Sequence, residues 1–280
     1  MDLVSVIIPC FNSGKTILKT ISSIKNQSWE NFEIIVVNDG SNERNTIEIL
    51  KKIKGIKLFH QKNQGLPSAR NYGISKAKGK FILPLDDDDW VEKNTIELMV
   101  QAIEKMDNSH FVYSDITLEG ELKGVVSKNY NFFDQLFLNH LPYCILYKKQ
   151  LWTEVGRYDE KMKDGFEDWE FNIRLGLNGI YGVRISRPLF HYNVSRMGML
   201  RSKSSKMYSQ IWLQIQKKHK SIYTISILLN IWKKWRKEKS NYPAFLYFIL
   251  LFSHKILPKN IFNLLFRLLF NLKNSRKIFN

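Results

Sequence analysis

Short apolar runs alternate with stretches of helical spacing along the first hundred residues of the chain. Because a strand, a helix and a second parallel strand form a right-handed crossover, this alternation predicts an α/β fold with a mostly parallel, Rossmann-like sheet flanked by helices. The predicted strands are 4–8, 33–37, 57–60 and 80–85. The predicted helices are 15–26, 45–52 and 95–106.

Polar clusters follow three of these predicted strands, at residues 10–12, 38–41 and 86–89. In open α/β sheets, ligands bind at the carboxyl ends of the strands. We therefore expect the three clusters to converge on one edge of the sheet. The pattern is less regular after residue 110, where the predicted strands are 111–113, 144–147 and 181–185 and a helix is predicted over 165–177.

The charge of the chain divides it into two parts. The formal net charge is +17, and residues 201–280 hold seventeen Lys and Arg against one acid, Glu238. Residues 1–200 are close to neutral, so we predict a folded domain over 1–200 and a basic extension over 201–280. A basic extension is typical of proteins that bind nucleic acid, an anionic membrane or an acidic partner.

Other features of the sequence indicate the cellular compartment of the chain and whether it crosses a membrane. Cys10 and Cys144 stand far apart without a CxxC pattern, so neither a disulfide framework nor a zinc cluster is predicted, and a reducing compartment is favoured. The first residues lack the basic start of a signal peptide. No uncharged apolar run reaches the ~18–20 residues that span a bilayer. We expect a chain that does not cross the membrane.

The segment FILPLDDDDW, residues 81–90, places four aspartates directly after a predicted buried strand. One interpretation is a solvated turn with Asp89 as N-cap of the next helix and Glu92 completing a capping box. A turn and a cap explain only part of the aspartate run. Four adjacent carboxylates repel one another unless a cation lies among them. Mg²⁺ or Mn²⁺, which prefer oxygen ligands, would relieve the repulsion. Asp86 and Asp88 point the same way in an extended segment and are the natural pair.

Four segments then carry a family resemblance. In order they read VSVIIPCFN (4–12), VVNDGS (36–41), NQGLPSARNYGISKAKGKFILPLDDDD (63–89) and GFEDWEFNIRL (165–175). Together they resemble the successive signatures of family 2 of the inverting glycosyltransferases, which have the GT-A fold, and the resemblance covers about residues 3–195. It implies a GT-A catalytic domain that uses a nucleoside diphosphate sugar, with UDP as the expected nucleotide.

The resemblance also implies roles for particular residues. It assigns the nucleotide pocket to Pro9, Phe11, Asp39, Arg70 and Asn71. Asp88 corresponds to a direct metal ligand, and Asp86 lies nearer the ribose or the waters of the metal. Asp168 corresponds to the general base that deprotonates the acceptor hydroxyl.

Each assignment has an alternative that needs no ligand. Asp39 lies in an NDGS sequence that favours a turn, and Arg70 would serve equally as a solvated surface cation. Glu167 and Asp168 would both suit the N-terminus of a helix, where the helix dipole favours acids.

The chain departs from the family pattern near residue 191. His191 is expected either as a third metal ligand or diphosphate contact, or as a purely structural histidine. Asn193 stands where the family often has arginine. We expect Arg196 or Arg201 to supply the missing positive charge.

The basic extension has its own pattern. Residues 260–274, as a helix, would show a narrow polar stripe and a wide apolar face, which is typical of a helix lying in a membrane interface. The alternative is that these helices pack on the domain or in a dimer interface. Nucleic acid is disfavoured, because long aliphatic stretches interrupt the cations. We therefore predict peripheral attachment to the anionic cytoplasmic face of the cell membrane.

The sequence as a whole predicts a metal-dependent, inverting glycosyltransferase of the hexosyltransferase type, with a lipid-linked or surface-glycan acceptor in polysaccharide biosynthesis. One alternative is a catalytically silent protein that binds nucleotide sugars or acts as a membrane scaffold. Another is a nucleotidyltransferase, which would release diphosphate from a nucleoside triphosphate. The sequence predicts no oligomeric state.

Overall fold

The computed structural model describes residues 1–107, 109–195, 208–258, 260–262 and 264–265. The strands are β1 (Val4–Cys10), β2 (Phe32–Asp39), β3 (Lys57–Gln61), β4 (Phe81–Pro84), β5 (Trp90–Val91), β6 (His110–Gly120), β7 (Gly124–Val126), β8 (Tyr147–Lys148) and β9 (Tyr181–Val194). The helices are α1 (Ile17–Lys25), α2 (Arg44–Lys52), α3 (Leu66–Lys76), α4 (Thr95–Glu104), α5 (Phe132–Gln135), α6 (Lys149–Glu154), α7 (Glu167–Leu177), α8 (Tyr208–Lys218), α9 (Ile225–Trp235) and α10 (Ala244–Ile256).

The central sheet has the strand order β3-β2-β1-β4-β8. β1 pairs in parallel with both β2 and β4, β2 pairs in parallel with β3, and β8 is antiparallel to β4. Every residue of β1 is buried, because apolar clusters cover both faces of the sheet. Ile8 packs on the side of α1 and α4, whereas Ile7 packs on the side of α3 and α7, as the two-residue period of a strand requires. The predicted α/β fold is confirmed.

Helix α3 was not predicted, because its sequence contains a proline and a glycine. The proline, Pro67, lies in the first turn, where a missing backbone N–H breaks no helical hydrogen bond. The glycine, Gly73, faces the sheet at a point where a Cβ atom would lie 2.6 Å from Cγ2 of Ile7. Gly73 therefore allows α3 to pack against β1, and this close packing carries the buried Arg70 toward the end of the sheet.

A second sheet, in the order β5-β9-β6-β7, continues the fold. β9 pairs in parallel with β6 and antiparallel with β5. The capping prediction for Asp89 is wrong, because Trp90 and Val91 form strand β5 and α4 begins only at Thr95, after Asn94. The Asp89 side chain is buried instead of capping a solvated helix end.

The extension after residue 208 is helical, as predicted, and it packs on the α/β domain. Its helices form an apolar cluster with α5 and α7. The ring of Tyr247 stacks on Phe137 at 4.9 Å, and the indole N–H of Trp212 donates to the carbonyl oxygen of Leu136 at 3.1 Å. The packing alternative therefore holds for the buried faces of α8, α9 and α10.

Parts of the predicted extension lie beyond this packing. Residues 260–262 and 264–265 are helical, as the pattern over 260–274 predicts, and the rest of that predicted helix lies outside the described residues. Arg196 and Arg201 also lie outside them. Within the described part of the chain, no helix has both the length and the apolar character to cross a bilayer.

Two adjacent residues of α10 test how the extension packs. Leu250 is fully buried, whereas Ile249 is 41% exposed. We expect Leu250→Ala to lower the free energy of unfolding by about 2–5 kcal/mol, because it leaves a cavity against the domain. Ile249→Ala should lower it by less than about 1 kcal/mol. Denaturant unfolding of both variants measures the difference, and equal losses would contradict the packing.

Candidate active site

The loops at the carboxyl ends of β1, β2 and β4 converge, as predicted. The backbone N–H of Phe11 donates to Oδ2 of Asp87 at 3.2 Å. The backbone N–H of Asn12 donates to the hydroxyl oxygen of Ser41 at 3.0 Å. These contacts bring the first loop against both the NDGS loop and the aspartate run.

The four aspartates have different partners. Asp86 accepts a hydrogen bond from Nη2 of Arg70 at 2.6 Å. Besides its bond from Phe11, Asp87 accepts one from the Ser13 hydroxyl. Asp89 accepts bonds from the Tyr143 hydroxyl and, at 2.7 Å, from the backbone N–H of Asn193. Asp88 receives a hydrogen bond from its own backbone N–H and, among the residues that the structure describes, from no other group.

The crowding of these carboxylates shows in their pKa values. Burial, with a contribution from Asp86, raises the pKa of Asp88 to about 6. Burial raises the pKa of Asp87 to about 7, although the Ser13 hydroxyl opposes the shift. A cation beside Asp88 would offset both the burial and the repulsion.

The aspartate run suits Mg²⁺ or Mn²⁺ better than it suits a metal whose ligands all come from the protein. Across the described ranges of the chain, no three His, Cys, Asp or Glu side chains gather into a metal cage. Mg²⁺ typically takes one or two carboxylates and completes its shell with waters and substrate phosphates. The Asp88 carboxylate is partly exposed and has oxygen positions open for such a shell.

Arg70 lies beneath the aspartate run and is 1% exposed, so the surface-cation alternative is wrong. Its guanidinium donates to Asp86 and also to Oε1 of Glu167, the first residue of α7. The rings of Tyr143 and Tyr158 lie 4.9 and 5.8 Å from the guanidinium carbon. Burial opposes the charge, but Asp86 and Glu167 raise the pKa of Arg70 well above its ordinary value. Arg70 thus links the end of β4 to the start of α7.

The two acids at the start of α7 lie in different surroundings. Glu167 is 2% exposed and bonded to Arg70, and burial raises its pKa to about 7. Asp168 is partly exposed, and both of its carboxylate oxygens accept from Nδ2 of Asn139, at 3.1 and 3.4 Å. Burial also raises the pKa of Asp168, while Arg70 and Asn139 oppose the shift. Of the two, Asp168 is the carboxylate that a substrate can reach.

Asn139 and Tyr143 are site residues that sequence reasoning missed. Both lie in the irregular segment between α5 and β8, where no periodicity marks them. The backbone N–H of Asn139 donates to the hydroxyl oxygen of Tyr208, in α8, at 3.0 Å. The extension therefore supports the residue that holds Asp168.

Three of the predicted nucleotide residues, Pro9, Phe11 and Asp39, lie at the carboxyl ends of β1 and β2. Asp39 is buried, and its carboxylate accepts from the backbone N–H groups of Gln64 and Gly65 at 2.9 Å, which holds the loop ahead of α3. Pro9 lies within β1, and the Phe11 side chain beyond it is 48% exposed. Contact of these residues with a nucleotide stays a prediction.

The side chain of Asn71 has other partners. Its amide oxygen accepts from the indole N–H of Trp152 and the backbone N–H of Tyr158, both at 3.0 Å. Its amide nitrogen donates to Tyr158 and Glu160 at 2.9 Å. Asn71 therefore holds the segment ahead of α7, and its predicted place in the nucleotide pocket has no support from these contacts.

His191 lies on β9 with its ring stacked on Trp90 at 5.2 Å. Its Nε2 is 2.8 Å from a carboxylate oxygen of Glu92, and its Nδ1 is 3.2 Å from one of Glu119. Metal ligation by His191 would require one of these two bonds to break. The geometry therefore favours the structural alternative over the metal prediction.

Comparisons with known proteins bear on the family and the fold of the chain. Residues 5–162 match the family model described as glycosyl transferase family 2. An uncharacterised glycosyltransferase of Rickettsia bellii is 46% identical over 187 residues, which are 65% of this chain and 26% of the relative. The glycosyltransferase GlyG of Streptococcus pneumoniae is 32% identical over 176 residues, which are 61% of this chain and 52% of GlyG. The chain thus spans about a quarter to a half of the length of these two relatives.

A further relative and a solved structure extend the match. The amylovoran biosynthesis glycosyltransferase AmsB of Erwinia amylovora is 28% identical over 245 residues, 79% of this chain and 80% of AmsB. Residues 1–349 of TarS from S. aureus, solved in complex with UDP-GlcNAc, superpose with a TM-score of 0.60 at 20% identity, covering 72% of this chain and 61% of that one. This likeness shows the GT-A fold.

The Tyr143 hydroxyl tests how the aspartate run is held, because it donates to Asp89 and accepts from the backbone N–H of Asp86 at 2.9 Å. We expect Tyr143→Phe to lower the free energy of unfolding by about 1–3 kcal/mol, since it leaves a buried carboxylate short of a donor. The control is Tyr72→Phe, for whose hydroxyl the described residues offer no hydrogen bond. Thermal or denaturant unfolding compares the two, and equal stability would exclude the tether.

Proposed function

The chain belongs to glycosyl transferase family 2, and on this premise we propose that it transfers a sugar from a nucleoside diphosphate sugar to an acceptor hydroxyl, with inversion. The observation that carries the proposal is the Arg70 bridge, which joins the aspartate run to the start of α7. This bridge supports the proposal because it holds the aspartate run, the proposed site of a metal and the diphosphate, near the separate, partly exposed carboxylate of Asp168. UDP is the proposed nucleotide, because TarS has been solved with UDP and with UDP-GlcNAc.

The donor side of the proposed reaction lies at the aspartate run. Asp88 is the proposed direct ligand of Mg²⁺ or Mn²⁺, because its oxygens have the fewest other partners in the run. Asp86, which Arg70 holds, lies nearer the ribose or the waters of the metal. A bound divalent cation would supply neutralising charge for the departing diphosphate. Phe11 and Asp39 are proposed to contact the base and ribose, with Pro9 shaping the first loop.

The acceptor side of the reaction belongs to Asp168. As general base, its carboxylate takes the proton of the acceptor hydroxyl while that oxygen attacks the anomeric carbon from the face opposite the diphosphate. A single displacement of this kind inverts the configuration and needs no protein nucleophile. Asn139 donates to both carboxylate oxygens and so orients the base. A pKa raised by burial makes Asp168 a stronger base than an exposed aspartate.

The proposed acceptor is a lipid-linked or surface-glycan intermediate. Support comes from AmsB, whose name assigns it to amylovoran biosynthesis, and whose match covers most of both chains. A nucleotidyltransferase would release diphosphate, whereas the proposed reaction releases a nucleoside diphosphate. Identification of the released product therefore separates the two, and a silent binding protein would release neither.

Substitution of the base gives the most direct test. We expect Asp168→Asn to lower kcat by roughly 10²- to 10⁴-fold, because the amide cannot accept the proton. UDP binding should be retained, since the aspartate run is untouched. Release of UDP from UDP-sugar and acceptor measures kcat, and calorimetry measures binding. The control is Asp107→Asn, a change of an exposed carboxylate outside the site. Full activity of Asp168→Asn would show that another group is the base.

Metal removal tests the proposed role of the aspartate run in binding the donor. We expect exhaustive chelation to abolish turnover and added Mg²⁺ or Mn²⁺ to restore it. Asp88→Asn should weaken the metal-dependent binding of UDP by at least about 10- to 100-fold, because it removes a negative ligand. The matched control, Asp87→Asn, alters a carboxylate whose partners are Ser13 and Phe11, and it should weaken binding less. Turnover that survives chelation would refute the metal.

A further inference from the structure

Helix α10 carries a row of exposed apolar side chains, here called the α10 stripe. It consists of Phe245, Ile249, Phe252 and Ile256, which are 62%, 41%, 46% and 79% exposed. Their spacing of four, three and four residues places them along one side of a helix. On other sides of the same helix, Tyr247, Leu250 and Leu251 are buried against the domain. Helix α10 is therefore apolar toward the protein and toward solvent.

The α10 stripe is larger than the scattered apolar exposure that any soluble surface shows. After α10, Ile261 and Leu264 are also exposed, at 47% and 59%. Exposed apolar side chains that occur singly need no explanation, but a contiguous row of large ones marks an interface. The stripe therefore needs an occupant other than water.

The charges that precede α10 in the sequence indicate what the occupant is. The segment 233–239, which covers the last residues of α9 and the four residues after it, reads KKWRKEK and holds five cations against Glu238. Most of these cations are exposed. An apolar row beside a cluster of cations is the pattern of a helix that lies on anionic lipid, since its apolar face enters the acyl boundary while the cations meet the headgroups.

The dimensions of α10 restrict how it meets a bilayer. Its 13 residues span about 20 Å at ~1.5 Å per residue, which is less than the ~30 Å of a hydrocarbon core. Its buried side is occupied by packing against α5, where Phe133 meets the ring of Tyr247 at 5.5 Å. The helix can therefore lie in the plane of the interface while the domain stays in water.

We propose that the α10 stripe inserts into the surface of an anionic lipid bilayer, with the cations of 233–239 on the lipid headgroups. This contact involves no donor or acceptor sugar, so it does not rest on the proposed reaction. It also places the membrane contact on α10, upstream of the 260–274 segment that the sequence pattern favours.

Vesicle binding of the purified chain, residues 1–280, tests this contact. The probes are vesicles of phosphatidylcholine alone and vesicles in which part of it is replaced by phosphatidylglycerol. We expect co-sedimentation with the anionic vesicles, weakened by salt. The double variant Phe245→Ser/Phe252→Ser should lower the partition coefficient by about tenfold or more. Lys237→Gln/Lys239→Gln should lower binding to the anionic vesicles only.

The control is Leu18→Ser/Val125→Ser, which removes exposed apolar side chains from α1 and β7 and should bind as the wild type does. Thermal unfolding confirms that each variant is folded. Absence of binding by the folded wild type overturns the proposal, and so does an equal loss in the control. A wild-type dimer that Phe245→Ser/Phe252→Ser dissociates, with vesicle binding unchanged, would assign the stripe to a second copy. Binding only after removal of residues 266–280 would show that the chain covers its own stripe.

Discussion

A guanidinium group that is almost completely removed from water must be neutralised by its neighbours, and Arg70 meets this requirement with Asp86 on one side and Glu167 on the other. Loss of Arg70 would leave the buried carboxylate of Glu167 unpaired, a change that typically costs about 3–5 kcal/mol. The end of β4 and the start of α7 are therefore held in one relative position. Gly73 is part of the same constraint, because only the close packing of α3 brings Arg70 to this depth.

The aspartate run is arranged around that fixed point. Repulsion within the run is reduced because its members bond to different donors: Asp87 is held by the first loop and Asp89 by Tyr143 and β9. The carboxylate oxygens of Asp88 accept the fewest hydrogen bonds from other residues. Burial and repulsion raise the pKa of Asp88, and a bound cation would offset both effects. A short acidic segment thus combines a structural role with a proposed ligand-binding role, and the donors that surround each carboxylate decide which role it has.

The C-terminal extension is connected to the same site. Tyr208 of α8 accepts from the backbone of Asn139, whose side chain holds Asp168, so the extension supports the proposed base. Burial of one side of α10 against the domain leaves the other side to meet a different surface. If that surface is lipid, the extension that supports the proposed base also determines where the protein works.

The sequence by itself determined the α/β class, the convergence of the strand ends and the family, because periodicity and motif order are local properties. It also singled out Asp168 and Asp88, although their roles remain proposals. Helix α3 was missed, since proline and glycine both oppose a helix locally. Pro67 is tolerated because it lies in the first turn, and Gly73 because its contact with β1 leaves no room for a Cβ atom. The buried state of Arg70 and the holding of Asp168 by Asn139 were decided by the tertiary structure alone, because each depends on partners far apart in the chain, and no local pattern records such a contact.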